Sequence, residues 1–124
     1  RNYFDENMGS LWAAVSGQNP ARLIGCSGAF DTLADLLDAT EPGTKLRKQQ
    51  EICPDDFQRI YEQLIHSTAA ERLQMKGLEP LRQEMIVPAI LLIDLVLKKT
   101  GIPKIIQTDY ALREGVLYEY LEAL

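Results

Sequence analysis

The sequence predicts an α/β chain in which a few short strands are covered by several helices, and three observations carry that prediction. Two apolar runs, Arg22 to Gly25 and Lys104 to Thr108, have the length of strands rather than helices. The first of them passes through Gly25-Cys26-Ser27-Gly28 straight into a helical pattern, which makes a strand, a glycine turn and a helix. The stretch Leu81 to Lys99 is apolar on nearly all sides, as a helix covered on most of its surface must be. The composition, 46% hydrophobic and 25% charged over 124 residues, suits one globular domain with a core of its own and argues against disorder.

Taken in order, Phe4, Met8, Leu11, Trp12 and Val15 recur at helical spacing until Gly17-Gln18-Asn19-Pro20 stops them. After the first strand, Phe30, Leu33, Ala34, Leu36 and Leu37 set the apolar stripe of the next helix, which ends before Glu41-Pro42-Gly43-Thr44. "TKLRKQQEI" reads as a polar connection whose Lys45, Arg47 and Lys48 are solvated, with no function assigned. Pro54-Asp55-Asp56 opens a helix, because proline suits the first helical position and carboxylates face the positive end of the dipole; Phe57, Ile60, Tyr61, Leu64 and Ile65 are its buried stripe. Thr68-Ala69-Ala70-Glu71 has capping-box spacing and starts a short helix that ends near Gly77. The covered helix follows, with Pro88 tolerable in a first turn and Gly101 as its stop. Lys104 to Thr108 is the second strand, and Ala111 to Leu124 a closing amphipathic helix. Two short strands make a poor sheet alone, so the chain is expected to be part of a larger α/β domain.

The net charge of −5 argues against a nucleic-acid or membrane-surface binder, since both require a basic face. An anionic substrate would need local positive charge set against the global sign. Cys26 and Cys53 stand in unlike contexts without metal-ligand spacing, and read as reduced thiols of a cytoplasmic protein. The N-terminal stretch has no signal-peptide core, and Met85 to Ile93 falls short of the about 20 residues that span a bilayer.

The turn at Gly25-Cys26-Ser27-Gly28 admits three readings: a serine nucleophile, a phosphate-binding turn, or a plain strand-helix connection. The nucleophile elbow G-x-S-x-G fails at Ala29, and the single histidine, His66, falls about half a helical turn from the Phe57 stripe, facing solvent. A phosphate site at a helix N-terminus is chemically sound, although neither the Walker pattern nor the dinucleotide fingerprint is matched. Close strand-helix packing explains the same small residues.

The far end of the chain bears on the choice. "LRQEMIVPAILLIDLVLKKTGIPKIIQTDYALREGVL" resembles the ending of the exopolyphosphatase and guanosine pentaphosphate phosphohydrolase (Ppx/GppA) family: Arg82, Glu84, Ile86 and Pro88 match its opening, and Asp109, Leu112, Arg113, Glu114 and Gly115 its close. Gly25-Cys26-Ser27-Gly28 stands for the family's glycine-serine-glycine-threonine turn, with Ala29 where threonine is usual; Thr108 replaces a serine, and Tyr110 and Ala111 replace glycines. The resemblance covers about Arg22 to Leu117.

It implies an actin-like (ribonuclease H-like) α/β domain, with few parallel strands and several covering helices. Residues 1–124 would be the C-terminal portion of the second such domain of a two-domain phosphatase, like the short members without an added helical domain. It further implies a phosphoanhydride hydrolase acting on polyphosphate or guanosine penta/tetraphosphate, with magnesium in the complete enzyme, and it leaves a homodimer open. The family's catalytic glutamate and Asp-Gly-Gly-Gly-Ser loop are not in this sequence, so the segment alone is expected to be inactive and to bind no metal. The alternative is a non-catalytic alarmone or nucleotide sensor. The residues expected to bind phosphate or nucleotide are Gly25, Ser27, Gly28 and Arg82, where Arg82 either contacts ligand or braces Glu114. Arg113 and Glu114 are expected to be ion partners of each other, and Asp109 a helix cap first and a cleft residue second.

Overall fold

A computed structural model describes residues 2–124. Three strands, β1 (Leu23–Cys26), β2 (Gln49–Ile52) and β3 (Ile105–Thr108), form one sheet in the order β1-β3-β2. The two strands expected from the sequence pair in parallel, Leu23 opposite Ile105 and Cys26 opposite Thr108. The third lies antiparallel to β3, Gln49 opposite Thr108 and Ile52 opposite Ile105. It arises from the stretch read as a polar connection, a correction with a clear cause. Gln-Gln-Glu-Ile buries only Ile52, and its edge position is set by backbone pairing that apolar periodicity does not report.

The described residues form seven helices: α1 (Asn2–Asn7), α2 (Gly9–Val15), α3 (Gly28–Asp38), α4 (Pro54–Ile65), α5 (Ala69–Leu73), α6 (Ile86–Thr100) and α7 (Leu112–Glu122). A single 3-10 turn, Pro80–Arg82, precedes α6. On one face of β3, Ile105 and Gln107 are buried toward α3, as alternation along a strand requires. Leu33 on α3, Ile60 and Leu64 on α4 and Ile90 on α6 close the core with Ile52 and Ile105. The α4 stripe is as expected, with Phe57 and Tyr61 stacked at 6.2 Å between ring centroids. Thr68 and Glu71 form the expected capping box on α5.

Two helix boundaries and the burial of one helix differ from the sequence reading. The N-terminal pattern breaks at Met8 into α1 and α2. The covered helix starts at Ile86 rather than Leu81, because Pro80 favours the tight turn ahead of it; Pro88 then sits in its first turn, where a missing N–H costs nothing. The closing helix α7 has no buried residue: Val116, Leu117, Tyr118, Tyr120 and Leu121 are spread around it and are each more than half exposed. It lacks the one-sided stripe that the amphipathic reading assumed. Among the described residues, no helix is long and apolar enough to cross a membrane.

Gly25 has a packing reason to be glycine. A Cβ there would run into the ring of Phe30, which lies over the strand end. Gly25→Ala is therefore expected to lower stability by about 1–3 kcal/mol through overpacking, read as an earlier chemical-denaturation midpoint at unchanged slope. A variant as stable as the parent would show that the Phe30 ring moves aside freely.

Candidate functional site

Strand β1 delivers the chain into the turn with a backbone that favours glycine. Ser27 has φ 60° and ψ 178°, Gly28 has φ 35°, and α3 begins at once. A serine in that region is strained by roughly 1–3 kcal/mol, a cost found mostly at sites where the geometry is needed. Its side chain does not cap α3 and stays exposed, so the hydroxyl is not spent on the helix end. The Gly28 carbonyl accepts two bonds, from Thr32 Oγ1 at 3.0 Å and from Arg82 Nη1 at 2.8 Å.

Arg82 thus reaches back from the 3-10 turn to the glycine turn 54 residues earlier. Its Nη1 also donates to Thr32 Oγ1 at 3.3 Å, and its Nε lies 3.2 Å from the Glu79 carboxylate. The side chain remains 41% exposed. Of the two readings of Arg82, the brace on Glu114 is not formed. Glu114 is occupied locally, accepting from the Ala111 backbone N–H at 2.8 Å and from Arg113 Nε. That leaves Arg113 and Glu114 paired with each other, as expected.

Beyond the C-terminal ends of β1 and β3 opens a cavity of about 600 Å³. Asp31, Thr32 and Asp35 of α3 form one wall, the loop of Lys45 to Arg47 a second, and Glu79, Arg82, Asp109 and Arg113 the rim. The charges balance, four carboxylates facing four cations. Most of the cations are already engaged: Arg47 Nη2 bonds Asp35 at 2.8 Å and Asp38 at 3.2 Å, and Lys45 Nζ lies 2.6 Å from Asp38. Arg47 was expected in solvent. Instead its side chain is 6% exposed, because the antiparallel β2 draws the loop down onto α3, where Asp35 waits on the inner face.

Asp109 is corrected as well. The residue flanking α7 is Ala111, and Asp109 accepts instead from the Arg47 backbone N–H and from Gln107 Nε2 at 2.9 Å. The same Gln107 nitrogen donates to Asp31 at 3.0 Å, and its residue is fully buried. One amide therefore ties β3 to α3 and to the cavity rim. Sequence reasoning missed Asp31, Asp35, Arg47 and Gln107. A signal existed: Asp31, Asp35 and Asp38 stand at i, i+4 and i+7, one helix face, which calls for a cation opposite.

Burial pushes the Asp38 carboxyl up, but the bonds from Lys45, Gln50 and Arg47 outweigh it and hold it below the usual carboxylate value. Burial likewise acts against the charge of Arg47, and Asp35 more than restores it. The Glu114 carboxyl is held low by Arg113 first and by the Ala111 N–H second. Glu71 is held low by the backbone and side chain of Thr68. As donors for magnesium these residues do not fit: among the described residues no group of three or more His, Cys, Asp or Glu converges, and Asp31 and Asp109 spend oxygens on Gln107 and Arg47.

The profile of the Ppx/GppA phosphatase family matches residues 3–124. The crystal structure of an exopolyphosphatase from Cytophaga hutchinsonii is similar over 99% of this chain and 40% of its own, with 40% identity and a TM-score of 0.87. Two structures of Ppx/GppA proteins from Aquifex aeolicus show the same fold, one at 20% identity and a TM-score of 0.71 over 93% of this chain and 41% of its own, the other at 18% and 0.68 over 96% and 42%. The chain thus spans less than half the length of these structures. No match was found among curated proteins.

Removing Arg47 leaves Asp35 buried without its counter-charge. Arg47→Ala is expected to cost about 3–5 kcal/mol, and Arg47→Met combined with Asp35→Leu to recover most of it, since an apolar pair needs no desolvation. Equal losses in the single and double variants would mean that packing, not charge, holds the loop. The lowered carboxyls of Asp38, Glu71 and Glu114 stabilise the fold above their unfolded values and lose that effect as pH falls through the folded ones. The melting temperature should therefore be flat from about pH 7 to 5 and fall below about pH 4. A rise on acidification would contradict the pairing.

Proposed function

The chain belongs to the Ppx/GppA phosphatase family, and from that membership we propose that it forms the C-terminal portion of the second actin-like domain of a phosphoanhydride hydrolase. The substrate is polyphosphate or guanosine penta/tetraphosphate, and this segment supplies one wall of the cleft with its anion-binding groups. The observation that carries the reading is Arg82, which lines the charged cavity and bonds the Gly28 carbonyl of the strained turn, near the strand ends where open α/β sheets take ligands.

The chemistry assigned to these residues is binding and orientation. The first turn of α3, whose Phe30 and Asp31 N–H groups donate to the Ser27 carbonyl, lies at the positive end of the helix dipole, where phosphate oxygens are favoured. Arg82, anchored through Nη1 and Nε, adds to the local positive charge that Lys45, Arg47 and Arg113 bring to the cavity. Because Glu79 and Asp35 already hold cations, an arriving phosphate competes with internal carboxylates, which makes binding sensitive to salt. The carboxylate that activates water and the donors for magnesium are assigned to the rest of the protein, which acts in the cytoplasm. The segment alone is inactive. One feature favours a second reading, a nucleotide sensor: Ala29 removes the hydroxyl that the family's turn carries beside the ligand.

Phosphate release by the full-length protein, with polyphosphate or guanosine pentaphosphate and magnesium, separates the two readings. Turnover supports the hydrolase; tight binding without turnover supports the sensor. In that protein Arg82→Ala should weaken polyphosphate binding roughly ten- to a hundred-fold, the worth of a charge-assisted bond, and Arg82→Lys should restore only part. If Arg82→Ala binds normally but melts earlier, the arginine merely braces the turn.

A further inference from the structure

Three groups hold Arg82, and they are unequal. Its Nε faces Glu79 at 3.2 Å, but the Glu79 side chain is 41% exposed, and an exposed pair of this kind holds a guanidinium only loosely. Its Nη1 donates to the Gly28 carbonyl at 2.8 Å, a single acceptor whose broad lone-pair directions let a planar group pivot. The second acceptor for Nη1 is Thr32 Oγ1 at 3.3 Å. Nη2 has no partner among the described residues, so it is the nitrogen left to offer N–H groups to a ligand.

Thr32 is suited to fix that choice. It lies in α3 one turn after Gly28, is 3% exposed, and gives its only hydroxyl hydrogen to the Gly28 carbonyl at 3.0 Å. Lone pairs are what remain on the oxygen, so toward Arg82 it can only accept. A threonine in a helix divides between two rotamers, and the bond to the carbonyl four residues back selects one of them. Burial keeps water from competing for the oxygen. Both Thr32 and Arg82 line the charged cavity. We propose that Thr32 is a positioning residue for phosphate binding: its hydroxyl, pinned on the Gly28 carbonyl, sets the plane of the Arg82 guanidinium and leaves Nη2 as the edge offered to the ligand. Thr32 acts through Arg82 rather than on the ligand. The inference rests on Arg82 being a phosphate ligand.

The test is calorimetric titration of the full-length protein with inorganic tetrapolyphosphate. Thr32→Val replaces the hydroxyl by a methyl of nearly equal size and should weaken binding roughly three- to ten-fold, the worth of one hydrogen bond. Thr32→Ser keeps the hydroxyl and should recover most of that loss. In an Arg82→Ala background, Thr32→Val should cost less than about two-fold more, because the arginine it positions is gone. A purely structural threonine gives another pattern, since its loss adds in full to that of Arg82→Ala. Thr32→Ala removes the same hydroxyl without a new methyl and carries the comparison if the valine variant does not fold. Valine and alanine variants that bind like the parent, a full loss that survives in the Arg82→Ala background, or a serine variant as weak as the valine one would each overturn the proposal and leave Arg82 standing as a ligand. Arg82→Ala binding tetrapolyphosphate as tightly as the parent overturns the phosphate reading of Arg82 itself, and the inference with it.

Discussion

The Arg47 guanidinium is almost wholly buried against Asp35 of α3, and the N–H of the same residue donates to Asp109 just past β3. One residue therefore joins α3, the approach to β2 and the rim of the cavity. A charge this far from water is tolerable only because carboxylates meet it, and Asp35 and Asp38 supply two. Were the loop of Lys45 to Arg47 free, β2 would have no fixed entry, Asp109 would lose one of its donors, and the cavity would lack a wall.

The turn after β1 depends on that frame. Gln107 holds Asp31 and Asp109 from beneath, which fixes α3 against β3, and α3 in turn fixes Thr32 under the Gly28 carbonyl. Arg82 completes the arrangement from the other side. The strained serine is sustained because sequence-distant elements determine its place. A cleft so built carries its cations pre-paired. Arg47 and Arg82 thus meet carboxylates of their own chain, whose net charge is −5.

Legibility in the sequence followed the physics of each element. The α4 stripe, the capping box at Thr68, the strands β1 and β3 and the solvent-facing His66 are set by short-range pattern and were readable. Strand β2 was not, because an edge strand of three polar residues and one isoleucine is defined by its partner, not by its own pattern. The break at Met8 and the start of α6 at Ile86 lie at boundaries where turn and helix compete closely. The exposure of α7 shows the same limit from the other side, since apolar content promised a buried face and packing among these residues did not provide one.

By itself the sequence determined the α/β class, the glycine turn between strand and helix, and the family motifs at Arg82 and at Asp109 to Gly115, because these follow from local spacing and residue type. Only the tertiary structure decided what the charges do. Arg47 was one of several loop cations until β2 pressed it onto Asp35, and Asp109 was a helix cap until Gln107 and Arg47 reached it. Arg82 found the Gly28 carbonyl rather than Glu114. In each case the partner lies far along the chain or on a separate element, and an ion pair or buried hydrogen bond is won by whichever group the packing brings within about 3 Å.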